Sequence, residues 1–245
     1  MSFDAHPRSS LIVALDFDSL SSAVKFASKI ADLVGMFKIG MQLFTAAGPA
    51  AVKEVSALGP GVFLDLKFHD IPNTVAGAIL SGAAISGVQL MNVHALGGTA
   101  MLEAAVQSVN AVSAMGEDRP RLLAVTILTS MDHKSMREVG IGGVPKARVL
   151  KLAQLAKAAG VDGVVASVQE AKAIRKACGP GFLIVTPGVR PSRDEGKKDD
   201  QHRTATPTEA IRAGADFLVV GRPILTAPDP RAAAQEIVDE IAATK

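Results

Sequence analysis

Residues 61–86 read GVFLDLKFHDIPNTVAGAILSGAAIS, one complete strand-to-helix unit. The opening run, GVFLDLKF (61–68), has the length and β-rich composition of a short strand. Its alternation puts Leu64, Leu66 and Phe68 on one face and Asp65 and Lys67 on the other. The Ile71-Pro72 step favours extended backbone at Ile71 and delivers the chain to Asn73. Asn73 is the expected N-cap of a segment of helical period, NTVAGAILSGAAIS (73–86).

The same unit recurs along the chain. Further strand-like runs are LIVALDF (11–17), GMFKIG (35–40), GVQLMNVHA (87–95), RLLAVTILTS (121–130), GVDGVVAS (160–167), GFLIVTPGV (181–189) and ADFLVVGRPI (215–224), eight in all. Segments of helical period separate them, among them SLSSAVKFASKIADLV (19–34), KARVLKLAQLAKAAG (146–160) and DPRAAAQEIVDEIAATK (229–245). Ser19 and Asp229 stand where N-caps belong, and Gly160 where a C-cap belongs. Near-continuous apolar strands imply a parallel sheet covered on both faces. Eight βα units in 245 residues predict one α/β domain, a TIM (β/α)8 barrel over 1–245. An open doubly wound sheet more often has five or six strands.

Composition removes other classes. With 48% hydrophobic and 20% charged residues the chain is not disordered, and one cysteine excludes a disulfide scaffold. Cys178 reads as a small packing residue. The 26 basic and 24 acidic residues are interspersed, and Trp and Tyr are absent, so no nucleic-acid partner is expected. No apolar run reaches the ~20 residues that span a bilayer, and MSFDAHPRSS has no basic n-region followed by an apolar h-region. The expectation is a soluble cytoplasmic protein with no membrane partner.

A barrel of this type collects function at the C-terminal ends of its strands. Asp16, Lys38, Asp65, Lys67 and Asp70 all fall there. They could form an ion-pair network that merely closes the barrel mouth, but buried ion pairs are weak stabilisers. The chemical reading is an alternating array that keeps Lys67 cationic and aims it as a proton donor. The polar stretch PSRDEGKKDDQHRTATPTEA (191–210) is far longer than an ordinary connection, and 191–204 is expected to be a mobile loop that grips phosphate. TPGVRP (186–191) and VVGRPI (219–224) start the loops after strands seven and eight, where such barrels often hold phosphate. Gly188 and Gly221 admit close backbone approach, and Arg190 and Arg222 offer forked donors to a dianion. His69 and His94 read as hydrogen-bonding core residues, and His6, His133 and His202 as solvated ones. No metal-ligand spacing stands out.

DLKFHDIPNT (65–74), VTILTS (125–130), TPGVRP, DDQHR (199–203) and VVGRPI together resemble the bacterial orotidine 5′-phosphate decarboxylase family, from about Ile12 to the DPRAAAQEI helix. The resemblance implies a homodimeric barrel that converts orotidine 5′-monophosphate to UMP and CO2 in pyrimidine biosynthesis, with no metal or organic cofactor. It assigns Lys67 as proton donor to the C6 carbanion, with Lys38, Asp65 and Asp70 completing the array. Asp16 and Lys38 would hold ribose hydroxyls, and Thr74 would belong to the substrate set. Asp70 and Ile71 would reach the neighbouring subunit's site. Thr129 or Ser130 would lie along the pyrimidine, the choice remaining open. Arg190, Gln201, Gly221 and Arg222 would reach the phosphate. The rival readings are a Mg-dependent sugar-phosphate decarboxylase or synthase on the same barrel, and a non-catalytic nucleotide-binding barrel.

Overall fold

A computed structural model of the protein describes residues 6–114, 119–191 and 204–244. Eight parallel strands close into a barrel in sequence order, with β8 pairing back onto β1. They are β1 (Leu11–Ala14), β2 (Met36–Gly40), β3 (Gly61–Phe68), β4 (Val88–His94), β5 (Arg121–Val125), β6 (Gly163–Val165), β7 (Leu183–Pro187) and β8 (Phe217–Val220). The eight expected runs are thus all strands. Some are shorter than the apolar pattern suggested: the ladder continues one hydrogen bond beyond β1 and β5, from Leu15 N to Lys38 O and from Thr126 N to Val165 O, and then stops. Asp16, Thr129 and Ser130 consequently sit on loops at the rim.

Helices cover the outside. They are α1 (Leu20–Ala27), α2 (Met41–Ala47), α3 (Pro49–Ser56), α4 (Pro72–Ala83), α5 (Gly98–Ala114), α6 (His133–Glu138), α7 (Pro145–Ala158), α8 (Val168–Cys178), α9 (Pro207–Arg212), α10 (Arg222–Leu225) and α11 (Pro230–Ala242). Ser19 and Asp229 cap α1 and α11 as expected, the Ser19 hydroxyl accepting from Ser22 N and the Asp229 carboxylate from Arg231 N and Ala232 N. Gly160 follows the C-cap of α7 in the left-handed region, φ +85°, and its N–H donates to Lys157 O. Asn73 is not a cap. Helix α4 starts at Pro72, whose ring presets φ and which has no amide to satisfy, so Ile71 takes the cap position and Asn73 falls inside the first turn. The long polar stretch ends in α9, where Thr206 and Glu209 form a reciprocal capping box. Among the described residues no helix is long and apolar enough to cross a membrane.

The core has two shells. Outward-facing strand residues such as Val13, Leu64, Met91 and Ile184 pack against the helices, and Cys178 joins this shell, 3% exposed, with burial raising its thiol pKa. Inside the barrel, Ile12, Met36, Phe63, Leu90, Leu123 and Phe217 contribute to an apolar plug. That interior is packed, so ligands are confined to its ends.

At the N-terminal end, two aspartates tie strands through loops that lead into their neighbours. Asp162 accepts from Leu122 N at 2.7 Å and from both Arg119 Nη atoms at 2.7 and 2.8 Å. Asp216 accepts from Ile184 N at 2.7 Å and Arg175 Nη2 at 2.6 Å. Burial alone would raise the Asp162 pKa, but the Arg119 and Leu122 hydrogen bonds hold it below the usual carboxylate value. Asp162→Ala strips a strand amide and a guanidinium of their acceptor. It is expected to lower the unfolding free energy by about 1–3 kcal/mol in urea titrations, with ligand binding at the opposite end unchanged.

Candidate active site

Three adjacent strands build the site by the same rule. Each places an apolar residue in the barrel plug and, two residues later on the same face, a polar one at the C-terminal end. On β2 Met36 is followed by Lys38, on β3 Phe63 by Asp65 and Lys67, and on β4 Leu90 by Asn92. The polar layer lies directly on the apolar plug.

Asp65, 7% exposed, is the hub of this layer. Its Oδ2 lies 3.2 Å from Lys38 Nζ and its Oδ1 2.7 Å from Lys67 Nζ. Asn92 Nδ2 donates to the same Oδ1 at 2.6 Å. Lys38 Nζ also donates to Asp16 Oδ1 at 3.4 Å, so the chain of alternating charge runs Asp16, Lys38, Asp65, Lys67. Gly40 leaves room for it: a Cβ there would stand 3.0 Å from Lys38 Nζ.

Lys67 itself departs from regular strand. Its φ is +52°, the one positive value of a non-glycine among the described residues. The β3–β4 register shifts between Leu64 and Phe68. Lys67 N, released from the ladder at this bulge, donates instead to Asn92 Oδ1 at 2.7 Å.

The electrostatics follow from burial and pairing. Burial alone would raise the Asp65 pKa, but Lys38 and Lys67, helped by the Lys67 and Asn92 hydrogen bonds, hold it below the usual carboxylate value. Burial alone would lower the Lys38 pKa, and Asp65 and Asp16 override it to hold the ammonium above the usual lysine value. Burial, then the fields of His69 and Lys67, depress the His94 pKa against the opposing Asp65.

A cavity of about 680 Å³ opens above the array. Asp16, Lys38, Asp65 and Lys67 form its polar floor, and Val125, Ile127 and Val165 an apolar wall. Thr129, Arg190, Gly221 and Arg222 line the same cavity. Ser130 is exposed and lies outside its lining, which separates the two candidates of the strand-five loop. Arg190 is fixed where the chain folds back, its N–H donating to Ala205 O at 3.0 Å beside the Val189–Ala205 bridge. Gln201, and positions 192–203 of the expected gripping loop, lie outside the described residues.

Asp70, Ile71 and Thr74 are not brought into this cavity. Asp70 and Thr74 line a separate hollow of about 320 Å³, with Lys67 on the boundary between the two. Asp70 Oδ1 accepts from Ile71 N at 2.6 Å, and the Asp70 carboxylate makes no ion pair among the described residues. Within one chain it is therefore outside the array it was expected to complete. Ile71 is 66% exposed, unusual for so apolar a side chain. Neither His69 nor His94 is a hydrogen-bonded core residue: His69 is exposed, and the buried Nδ1 of His94 has no hydrogen-bond partner. Their rings stand 5.4 Å apart.

Asn92 is the site residue that the sequence reading missed. It is fully buried, and its signal was present in GVQLMNVHA (87–95), where an amide sits two residues beyond Leu90 in an otherwise apolar run.

Since the folded-state pKa of Asp65 is depressed, its contribution to stability is present above the unfolded value near ~3.9 and is lost as pH falls through the folded value. The stability gap between wild type and Asp65→Asn in urea unfolding is therefore expected to be constant near neutrality and to shrink below about pH 4. A gap that stays constant to pH 2 would show that the carboxylate charge does not hold this layer.

Residues 9–237 match the family described as "Orotidine 5′-phosphate decarboxylase / HUMPS family". The chain is 55% identical over 236 residues to the orotidine 5′-phosphate decarboxylase of Pelobacter propionicus, covering 96% of each chain. It is 56% identical to that of Trichlorobacter lovleyi, also over 236 residues and 96% of each. The crystal structure of orotidine 5′-phosphate decarboxylase from Lactobacillus acidophilus superimposes with a TM-score of 0.83 at 40% identity, over 94% of this chain and 98% of that one. With a match over nearly its whole length, a closed eight-stranded barrel and a Lys-Asp-Lys cluster at the strand ends, the chain belongs to the orotidine 5′-phosphate decarboxylase / HUMPS family.

Proposed function

We propose that the protein decarboxylates orotidine 5′-monophosphate to UMP and CO2 in pyrimidine biosynthesis, using side chains alone. The observation that carries this reading is the Lys67 ammonium, held 2.7 Å from Asp65 on the floor of a cavity of nucleotide size. As the bond from C6 to the carboxylate carbon breaks, CO2 departs and an electron pair remains on C6 in the plane of the ring. A fixed ammonium stabilises that charge as it develops and supplies the proton that quenches it. The Lys67 N–H bond then breaks, a C6–H bond forms, and the neutral amine is reprotonated by solvent after product release.

Asp65 would stand near the substrate carboxylate, and its pairing with Lys38 and Lys67 keeps the cations in place before substrate arrives. Such preorganisation lowers the barrier because no reorientation is needed during the reaction. Asp16 and Lys38, in the polar floor, suit ribose hydroxyls, and Thr129 suits the polar edge of the pyrimidine. Arg190, Gly221 and Arg222 would take the phosphate at the loops after β7 and β8, with Gln201 closing over it from the 191–204 loop. In that closed state, binding energy from the phosphate serves the chemistry at the far end of the substrate.

The placement of Asp70 favours a homodimeric site. Its carboxylate lies outside its own chain's array, next to the exposed Ile71, as needed for both to reach a neighbouring subunit. We place the dimer in the cytoplasm. The Mg-dependent alternative requires carboxylate oxygens that a cation can take. Both oxygens of Asp65 are already engaged by lysines, and one also by Asn92.

Lys67→Ala is expected to abolish CO2 release while the folded protein still binds UMP. Unchanged turnover would remove Lys67 from the chemistry, and UMP binding without CO2 release by the wild type would favour the non-catalytic barrel. Arg222→Ala should weaken orotidine 5′-monophosphate strongly and the phosphate-free nucleoside hardly at all; equal losses would remove Arg222 from the phosphate site. Wild-type turnover should persist in excess chelator, whereas a loss restored by Mg2+ would support the metal-dependent reading. Mixing inactive Lys67→Ala and Asp70→Ala subunits should restore part of the activity, because one of the two sites in each heterodimer has both groups intact. No recovery in a demonstrated heterodimer would place Asp70 in its own chain's site.

A further inference from the structure

We propose that Asn92 is a positioning residue for proton transfer, fixing where Lys67 points without itself touching the substrate. The inference rests on the decarboxylase reading above. Asn92 is fully buried on β4 and is absent from the cavity lining. Its one amide serves two groups of the neighbouring strand: Oδ1 accepts from Lys67 N at 2.7 Å, and Nδ2 donates to Asp65 Oδ1 at 2.6 Å. The amide's orientation is dictated by its partners, since a backbone N–H needs an acceptor and a carboxylate needs a donor.

Both contacts bear on the same ammonium. The bulge in β3 leaves Lys67 N without a partner on the β4 backbone and puts Lys67 at φ +52°, a conformation that persists only where its surroundings enforce it. Asn92 Oδ1 is the group that meets the freed amide. At the other end of the residue, Lys67 Nζ is held by the same Asp65 oxygen that Asn92 Nδ2 fixes. Asn92 therefore anchors the Lys67 backbone directly and its ammonium through Asp65. An apolar side chain at this position would leave a buried amide unsatisfied and remove one of the three donors that fix the carboxylate. A displacement of the reacting group by about 1 Å suffices to cost on the order of 100-fold in rate.

Asn92→Val and Asn92→Thr have nearly the same shape, and only the threonine carries a hydroxyl, a group able to donate and to accept. Asn92→Val is expected to lower kcat about 100-fold, with Asn92→Thr recovering at least a tenth of the wild-type value. UMP affinity should stay within about threefold of wild type in both, because the altered group does not reach the ligand. Equal losses in the two variants, an undiminished kcat in Asn92→Val, or a parallel loss of UMP affinity would overturn the assignment. Should either variant fail to fold, Asn92→Asp carries the same test with the native shape. Its carboxylate opposes Asp65 when ionised and can donate to it only when protonated, so kcat should rise relative to wild type as pH falls from 8 to 6. A profile parallel to that of wild type would overturn the proposal. A wild-type protein with no decarboxylase activity would instead refute the functional reading, leaving these hydrogen bonds structural.

Discussion

The site depends on Asp65 having a lysine on each side. A lone carboxylate at 7% exposure would be unstable as an anion, and two ammonium groups at the barrel end would repel each other. Together, at 3.2 and 2.7 Å, Lys38 and Lys67 keep Asp65 ionised, and Asp65 with Asp16 keeps Lys38 charged. Buried ion pairs contribute little to net stability compared with apolar packing, so four charged residues paired at one rim are poorly explained as a structural device. They are well explained as a fixed electrostatic environment for a reaction that develops charge.

The barrel makes this arrangement possible through its strand period. Side chains at i and i+2 share a face, so residues that follow Met36, Phe63 and Leu90 rise directly from the apolar plug into the cavity. The plug closes the floor to water, and the ends of β2, β3 and β4 bring the four polar side chains within hydrogen-bonding reach. The opposite end, with Asp162 and Asp216 clamping strand amides, contributes to holding the cylinder together and takes no part in the cavity. Chemistry and stability are thus segregated to the two ends of one fold.

Much of this was legible in the sequence. Eight apolar runs separated by helical periods specify the barrel because each run must be covered on both faces. Lys38, Asp65 and Lys67 stand out because charges are rare inside such runs. Asn92 escaped because an uncharged amide in a strand carries no comparable penalty signal, and its importance lies in a contact with β3 that only the cross-strand register reveals. Thr129 and Ser130 could not be separated because β5 ends at Val125, after which the alternation that assigns faces no longer applies. The direction of Asp70 was equally hidden: it follows the strand, where local turn geometry decides, and its carboxylate turns back onto the Ile71 amide. Asn73 misled because proline at the first helical position displaced the cap by two residues.

In the proposed mechanism the Lys67 ammonium delivers the proton to C6. By microscopic reversibility, a group that protonates the C6 carbanion also removes the C6 proton of UMP, so the most direct measurement follows deuterium entering C6 of UMP in D2O by NMR. Exchange catalysed by the wild-type protein is expected, and none above background with Lys67→Ala, under conditions that saturate both with UMP. Exchange at the wild-type rate in Lys67→Ala would remove Lys67 from the proton transfer.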